Sequence, residues 1–271
     1  MKHIGLIAGG GPFPKFFLEK AEKKGYKVFT AAYINEADEE LKKYAVHIEW
    51  LRLGQVGRLL KYFKKNSVKE AVMIGTIKKT RIFSDIRPDF KALSFIASLK
   101  HTHDDSILVS FANLLEKEGI KIKPSTFLLP ELINKKGCFT KRKPSKTEIE
   151  DILAGWPIAK QIGRFDVGQC VVVSNGAVLA VEAIDGTDAT ILRGGKLADK
   201  EVVVVKISKP DQDLRFDLPC AGSETIEIMH SVGASVLVLE AGKSISFDRD
   251  EMIRLADKYN ICIQAMDDDD F

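Results

Sequence analysis

Apolar runs of strand length alternate with stretches of helical period through the first half of the chain. That alternation limits the fold more than any single motif. Residues 3–8, 26–32, 44–51 and 71–74 are short runs rich in β-branched, aromatic and other apolar side chains. Between and after them, residues 14–24, 54–65, 88–100 and 104–118 carry apolar side chains at helical spacing, as in Val56, Leu59, Leu60 and Phe63. Strands separated by helices of this length predict α/β architecture with a Rossmann-like parallel sheet and helices on both faces. Ligands of such sheets sit outside the carboxyl ends of the strands. Gly9-Gly10-Gly11 and Gly75-Thr76, each just past a strand, are therefore candidate binding loops.

The periodicity weakens across residues 132–146, where Lys135, Lys136, Lys141, Arg142, Lys143 and Lys146 gather. The chain divides naturally there, into an N-terminal domain of residues 1–131 and a C-terminal domain of residues 132–271, each near the ~150 residues usual for one domain. The basic stretch reads either as a solvated connection or as a patch for anionic headgroups. Beyond it, residues 145–165 read as a helix. Asn175-Gly176 between the apolar runs 169–174 and 177–183 is a hairpin signal, since both turn positions need positive φ. A helix near 185–197, a strand over 202–207, a helix from Ser223 with that serine as N-cap, a strand over 235–239, a helix from Asp248 and a strand over 261–265 follow. This second domain is expected to be mixed α/β, carrying the acidic motif, with a frayed tail at Asp267 to Asp270.

A net charge of +3 does not supply the basic face that nucleic acid requires, so no nucleic-acid partner is expected. No run approaches the ~18 apolar residues of a membrane span, and the first residues read straight into a strand rather than a signal segment. A cytoplasmic location is the expectation. Cys138, Cys170, Cys220 and Cys262 form no C-x-x-C pair and are expected to be ordinary core or surface residues.

Several segments could carry chemistry. Gly9-Gly10-Gly11-Pro12-Phe13-Pro14 fails the dinucleotide fingerprint, because its third glycine position is Pro14. It remains either an anion cradle with free amides at a helix start or a tight turn that needs glycine. Glu182, Asp185, Thr187 and Asp188 lie just past a strand, as site residues or as helix caps. Asp211, Asp213, Arg215 and Asp217 alternate between Pro210 and Pro219, so an extended segment aims all four to one side. Carboxylates beside one arginine suit Mg²⁺ holding a phosphate, or a self-compensating surface loop. His101 and His103 precede Asp104-Asp105, but their spacing is not that of a zinc helix, and aspartates commonly open helices. No G-x-S-x-G and no P-loop occurs.

Taken together, these motifs resemble the LpxI-type UDP-2,3-diacylglucosamine pyrophosphatases of lipid A biosynthesis. The resemblance rests on Gly5-Leu6-Ile7-Ala8-Gly9-Gly10-Gly11 with Phe13-Pro14, on Asp104-Asp105, and on Val181-Glu182-Ala183 with Gly186-Thr187-Asp188. It continues through Lys209-Pro210, Gln212-Asp213, Arg215-Phe216-Asp217-Leu218-Pro219, Gly222, Thr225 and Ala241-Gly242-Lys243. His103 departs from the family's usual glycine, and Asp185 from its usual glutamate.

The resemblance implies two domains that close around the substrate. It also implies metal-dependent hydrolysis to UMP and 2,3-diacylglucosamine 1-phosphate (lipid X), with Mg²⁺ or Mn²⁺ and water attacking the sugar-side phosphorus. On that basis Asp217 is the principal catalytic carboxylate and Asp213 assists, both as metal ligands. Lys209 and Arg215 take diphosphate oxygens. Gly9, Gly10, Gly11, Gly75, Thr76, Asp104, Asp105, Glu182, Thr187, Asp188, Gln212 and Thr225 contact substrate. Phe90, Leu93, Phe95 and Ile96 are either an acyl-chain cleft or plain helix core. Transient contact with the inner leaflet follows from a diacylated substrate, and a homodimer is compatible. A non-catalytic nucleotide-sugar or lipid binder is the rival reading; the broken fingerprint disfavours a nicotinamide enzyme.

Overall fold

A computed structural model describes residues 2–77, 87–98, 104–198, 201–210, 212–216 and 218–271. The chain separates into two compact units. One is Met1–Pro130 with Asp213–Asp217, the other Glu131–Gln212 with Leu218–Phe271. Five residues of the acidic segment thus belong to the first unit, while the chain on either side of them belongs to the second.

In the first unit, β1 (Lys2–Ala8), α1 (Phe13–Lys23), β2 (Tyr26–Tyr33), β3 (His47–Leu51), α2 (Val56–Lys65) and β4 (Glu70–Ile74) follow the predicted alternation. Next come α3 (Phe90–Ser98), α4 (Asp104–Lys117) and a short β5 (Lys121–Lys123), the last of which carries no periodicity to betray it. The five strands pair in the order β3-β2-β1-β4-β5, every pairing parallel. The expected Rossmann-like parallel sheet is therefore present. The order reverses between β1 and β4, which leaves a crevice at their carboxyl ends. Phe29, Leu51, Leu59, Phe63, Phe111 and Leu115 belong to the core of this unit.

The second unit holds β6 (Gly137–Cys138), α5 (Lys146–Arg164), β7 (Cys170–Ser174), β8 (Ala177–Val181), α6 (Thr187–Gly195) and β9 (Val202–Lys206). After the acidic segment come β10 (Cys220–Ala221), α7 (Ser223–Ser231), β11 (Ala234–Glu240), β12 (Ile245–Ser246), α8 (Arg249–Lys258) and β13 (Cys262–Met266). Six strands form a mixed sheet, β6-β13-β11-β9-β7-β8, and β10 pairs with β12 separately. The four-valine run of β9 shows why the sheet is central. Val202 and Val204 enter the core on one face and Val203 and Val205 the core on the other. A strand covered on both faces needs such a continuous apolar run.

The hairpin forms as read. Asn175 and Gly176 have φ of 50° and 74°, and both turn amides donate to the buried Asp151 carboxylate at 3.0 and 2.6 Å.

Two local expectations are corrected. Ser223 is the first residue of α7 rather than its cap; its amide and hydroxyl both donate to Asp248, whose carboxylate satisfies the helix start. The acidic tail is not frayed. Asp268 accepts the Trp156 indole N–H at 2.9 Å, Lys136 pairs with Asp267 and Asp270 at 2.8 Å, and Phe271 stacks on Trp156 at 4.7 Å. Among the described residues no helix is long and apolar enough to cross a membrane.

Candidate functional site

The loops that leave β1 and β4 are tied to one another by main chain alone. Gly9 N–H donates to Ile74 O at 2.8 Å and Gly10 N–H to Thr76 O at 2.8 Å, while Thr76 N–H returns to Gly10 O at 3.1 Å. The approach is too close for side chains. A Cβ on Gly9 would lie 2.5 Å from Thr76 O, and one on Gly75, at φ 98°, would lie 2.6 Å from Gly10 O. Two of the three glycine amides, those of Gly9 and Gly10, thereby bond within the protein. Gly11 differs: at φ 88° it faces open space, beside an α1 start with no side-chain cap and no acidic residue in its first turn. That helix end carries the positive end of the helix dipole.

Residues 213–216 form a turn rather than an extended run. Phe216 N–H bonds to Asp213 O at 3.0 Å, closing a turn, and the Arg215 amide donates to Asp213 Oδ1 at 3.0 Å. An aspartate that caps the amide two residues on favours such a turn over a strand. Asp213 and Arg215 consequently meet through the turn, not through strand alternation. The guanidinium forks onto both carboxylate oxygens, with its closest contact at 2.7 Å, and also reaches Glu116 at 3.1 Å. Arg215 thereby holds the Asp213 carboxyl below its usual range. Phe216 packs against the core of the first unit, and the Ser125 amide donates to Arg215 O at 3.0 Å. Asp211 and Asp217 lie outside the described residues.

On the second-unit side, Gln212 Oε1 accepts the Ser208 hydroxyl at 3.0 Å and the Lys209 amide at 3.1 Å. The Lys209 ammonium reaches Asp166 at 2.5 Å. Gly163 on α5 lets Lys209 and Pro210 pack down, since a Cβ there would stand 3.1 Å from the proline ring.

Glu182 is also buried, and both its oxygens are engaged. One takes the Gln169 amide at 3.0 Å, the other the Thr187 hydroxyl at 3.0 Å. Asp188 is exposed in the first turn of α6, Asp185 is drawn to Arg193 at 2.9 Å, and Thr225 is buried in the first turn of α7. Asp104 and Asp105 open α4, with side chains outside the described ones; His101 and His103 are outside altogether.

The structure thus groups Gly9 and Gly10 with Gly75 and Thr76, Asp213 with Arg215, Lys209 with Gln212, and Glu182 with Thr187. It adds Glu116, Asp166, Lys206 and Glu240, which the sequence reading passed over. Only Lys206 had a visible signal, as a lone charge closing a four-valine strand.

Carboxylate oxygen is the right kind of ligand for Mg²⁺. However, Asp213 is committed to Arg215, and no group of three His, Cys, Asp or Glu side chains among the described residues could hold a metal. The described residues alone do not assemble a cation site.

Two family models cover nearly the whole chain: LpxI N-terminal domain over residues 3–132 and LpxI C-terminal domain over residues 135–264. A curated protein of Caulobacter vibrioides, named UDP-2,3-diacylglucosamine pyrophosphatase LpxI, is 31% identical over 278 residues, covering 98% of each chain. Among solved structures, CobK precorrin-6A reductase aligns with 98% of this chain and 88% of its own at 8% identity, with a TM-score of 0.35. Phosphoribosylglycinamide synthetase from Anaerococcus prevotii aligns with 70% of this chain and 42% of its own at 13% identity, with a TM-score of 0.26. Neither structural likeness carries an argument.

Proposed function

Because the chain belongs to the LpxI family, we propose that it hydrolyses the diphosphate of UDP-2,3-diacylglucosamine, releasing UMP and 2,3-diacylglucosamine 1-phosphate. The observation that carries this reading is the relationship to the Caulobacter protein across 98% of both chains, acidic segment included. Water attacks the sugar-side phosphorus. The bond from that phosphorus to the bridging oxygen breaks, the bridging oxygen leaves with UMP, and the water oxygen stays on the sugar phosphate.

Asp217 orients the water and Asp213 assists it. Lys209 and Arg215 take diphosphate oxygens. Both cations already have carboxylate partners, Lys209 in Asp166 and Arg215 in Asp213 and Glu116, so substrate binding exchanges a carboxylate for a phosphate oxygen. Charge-assisted bonds of either kind are similar in strength, which keeps such an exchange cheap and reversible. Gly11 and the positive start of α1 offer a second position for negative charge.

A divalent cation, Mg²⁺ or Mn²⁺, belongs to the proposal because phosphoryl transfer between anionic groups needs charge neutralisation; Asp217 would hold it, together with Asp213 once Arg215 has exchanged that carboxylate for the diphosphate. Transient contact with the inner face of the inner membrane follows from the two acyl chains. Of the basic residues considered for it, Arg142 is engaged by the buried Glu148, whereas Lys141 projects its side chain outward.

The test is UMP release from UDP-2,3-diacylglucosamine in ¹⁸O-labelled water, with and without EDTA. The reading expects UMP release that EDTA abolishes, and label in the sugar phosphate. Label in UMP would overturn the point of attack, and binding without UMP release would return the chain to a non-catalytic role.

A further inference from the structure

Two buried polar side chains, one acidic and one basic, hold the backbone at the two ends of the acidic segment. At the entry, Glu240 ends β11 with 1% of its surface exposed, and its Oε2 accepts the Ser208 amide at 2.9 Å. Its Oε1 takes the ammonium groups of Lys160 and Lys243, each at 2.8 Å. Within the turn, the Ser208 hydroxyl and the Lys209 amide both go to Gln212 Oε1, so the carboxylate that holds the Ser208 amide bears on the whole turn. At the exit, Lys206 ends β9 with 7% exposed, and its ammonium donates to the Cys220 carbonyl at 2.6 Å. Cys220 starts β10 and lies close after Asp217 in the chain.

Both anchors close neighbouring parallel strands, β9 and β11. Both also grip main-chain atoms, so they fix where the segment starts and stops whatever its own side chains do. Apolar packing would be the less expensive way to fill these places. Methionine matches lysine in length and avoids the desolvation penalty of a buried ammonium. What methionine cannot do is hold a carbonyl in one direction.

We propose that Lys206 and Glu240 are positioning residues, which set the geometry of the acidic segment by fixing the main chain at its two roots. The proposal rests on the reading that this segment carries the diphosphate chemistry. A misplacement of about 1 Å in such a segment lowers turnover on the order of 10²-fold.

The experiment compares Lys206→Met, Lys206→Arg and Glu240→Gln in the full chain by steady-state kinetics and amide hydrogen exchange. In Lys206→Met, kcat for UMP release falls about 10²-fold with little change in KM. Exchange accelerates across residues 212–220, and Lys206→Arg restores both. Glu240→Gln keeps an acceptor for the Ser208 amide but loses the ion pairs, and shows a smaller loss of the same kind. Wild-type kcat per folded molecule in Lys206→Met overturns the proposal. So does exchange that rises evenly over the whole second unit instead of in the segment. Should Lys206→Met fail to fold, Lys206→Gln is read in its place. Exchange needs no substrate, so a wild-type protein that releases no UMP would sink the functional reading while the anchoring is still decided.

Discussion

The paired glycine loops and the acidic segment both sit past the carboxyl ends of strands, yet they are built by opposite means. At Gly9, Gly10 and Gly75 the shape comes from main chain meeting main chain at distances no Cβ tolerates. From Lys206 to Cys220 it comes largely from acidic and basic side chains: Glu240 on Ser208, Asp166 on Lys209, Arg215 on Asp213, Lys206 on Cys220. A backbone-built loop fails through crowding, and its failure is felt as lost stability. A charge-built segment can keep its fold and lose its geometry, so its failure is felt in turnover and in pH dependence.

The largest expected effect lies on the charge-built side. Asp217→Ala should lower turnover about 10²–10⁴-fold, the range for a positioned acid–base group, with an unchanged circular dichroism spectrum. Near wild-type UMP release would end the assignment of chemistry to that segment. On the backbone-built side, Gly75→Ala combines a positive φ with a contact that cannot relax, and should destabilise by about 3 kcal/mol in urea unfolding. Gly11→Ala shares the positive φ but meets open space, so about 1 kcal/mol is expected. Equal losses in the two variants would show that crowding is not what selects glycine there.

Asp213→Asn probes the charged segment thermodynamically. Partial exposure of the fork limits its contribution to about 1 kcal/mol at neutral pH. Because the folded carboxyl titrates below its unfolded value of about 3.9, the contribution is present above that value. It is lost as pH falls through the folded one. Melting temperatures of wild type and Asp213→Asn should therefore differ at pH 7 and converge at the acid end; a constant gap would contradict the ionised fork. The last is a control of similar size, away from both regions. Phe271→Ala removes the stack on Trp156, costing about 1 kcal/mol with turnover unchanged.

Patterns that depend on neighbours in sequence were legible. The strand–helix alternation gave the parallel sheet, and Asn175-Gly176 gave the hairpin, since positive φ at two consecutive positions is a local demand. The acidic segment was located by composition, but its conformation was misread. Alternate spacing implied a strand, whereas the Asp213 carboxylate captures the Arg215 amide and turns the chain. Partners supplied from afar left little local trace. Asp248 at the start of α7, Asp151 under the hairpin and Glu240 under Ser208 look in sequence like any surface acid. Likewise the C-terminal acids looked solvated because Trp156, Lys136 and Lys160, which hold them, lie more than a hundred positions earlier.

The membership of Asp213–Asp217 in the first unit bears on how the chain folds as it is made. Phe216 belongs beside the first core and Arg215 O beside the Ser125 amide, but both emerge from the ribosome about 80 residues after Pro130. At synthesis rates of roughly 5–20 residues per second that is a wait of about 4–16 s. Until then the first unit lacks one of the partly buried side chains that pack against its apolar core. Vectorial synthesis thus makes Asp213–Asp217 the final piece of the first unit to arrive.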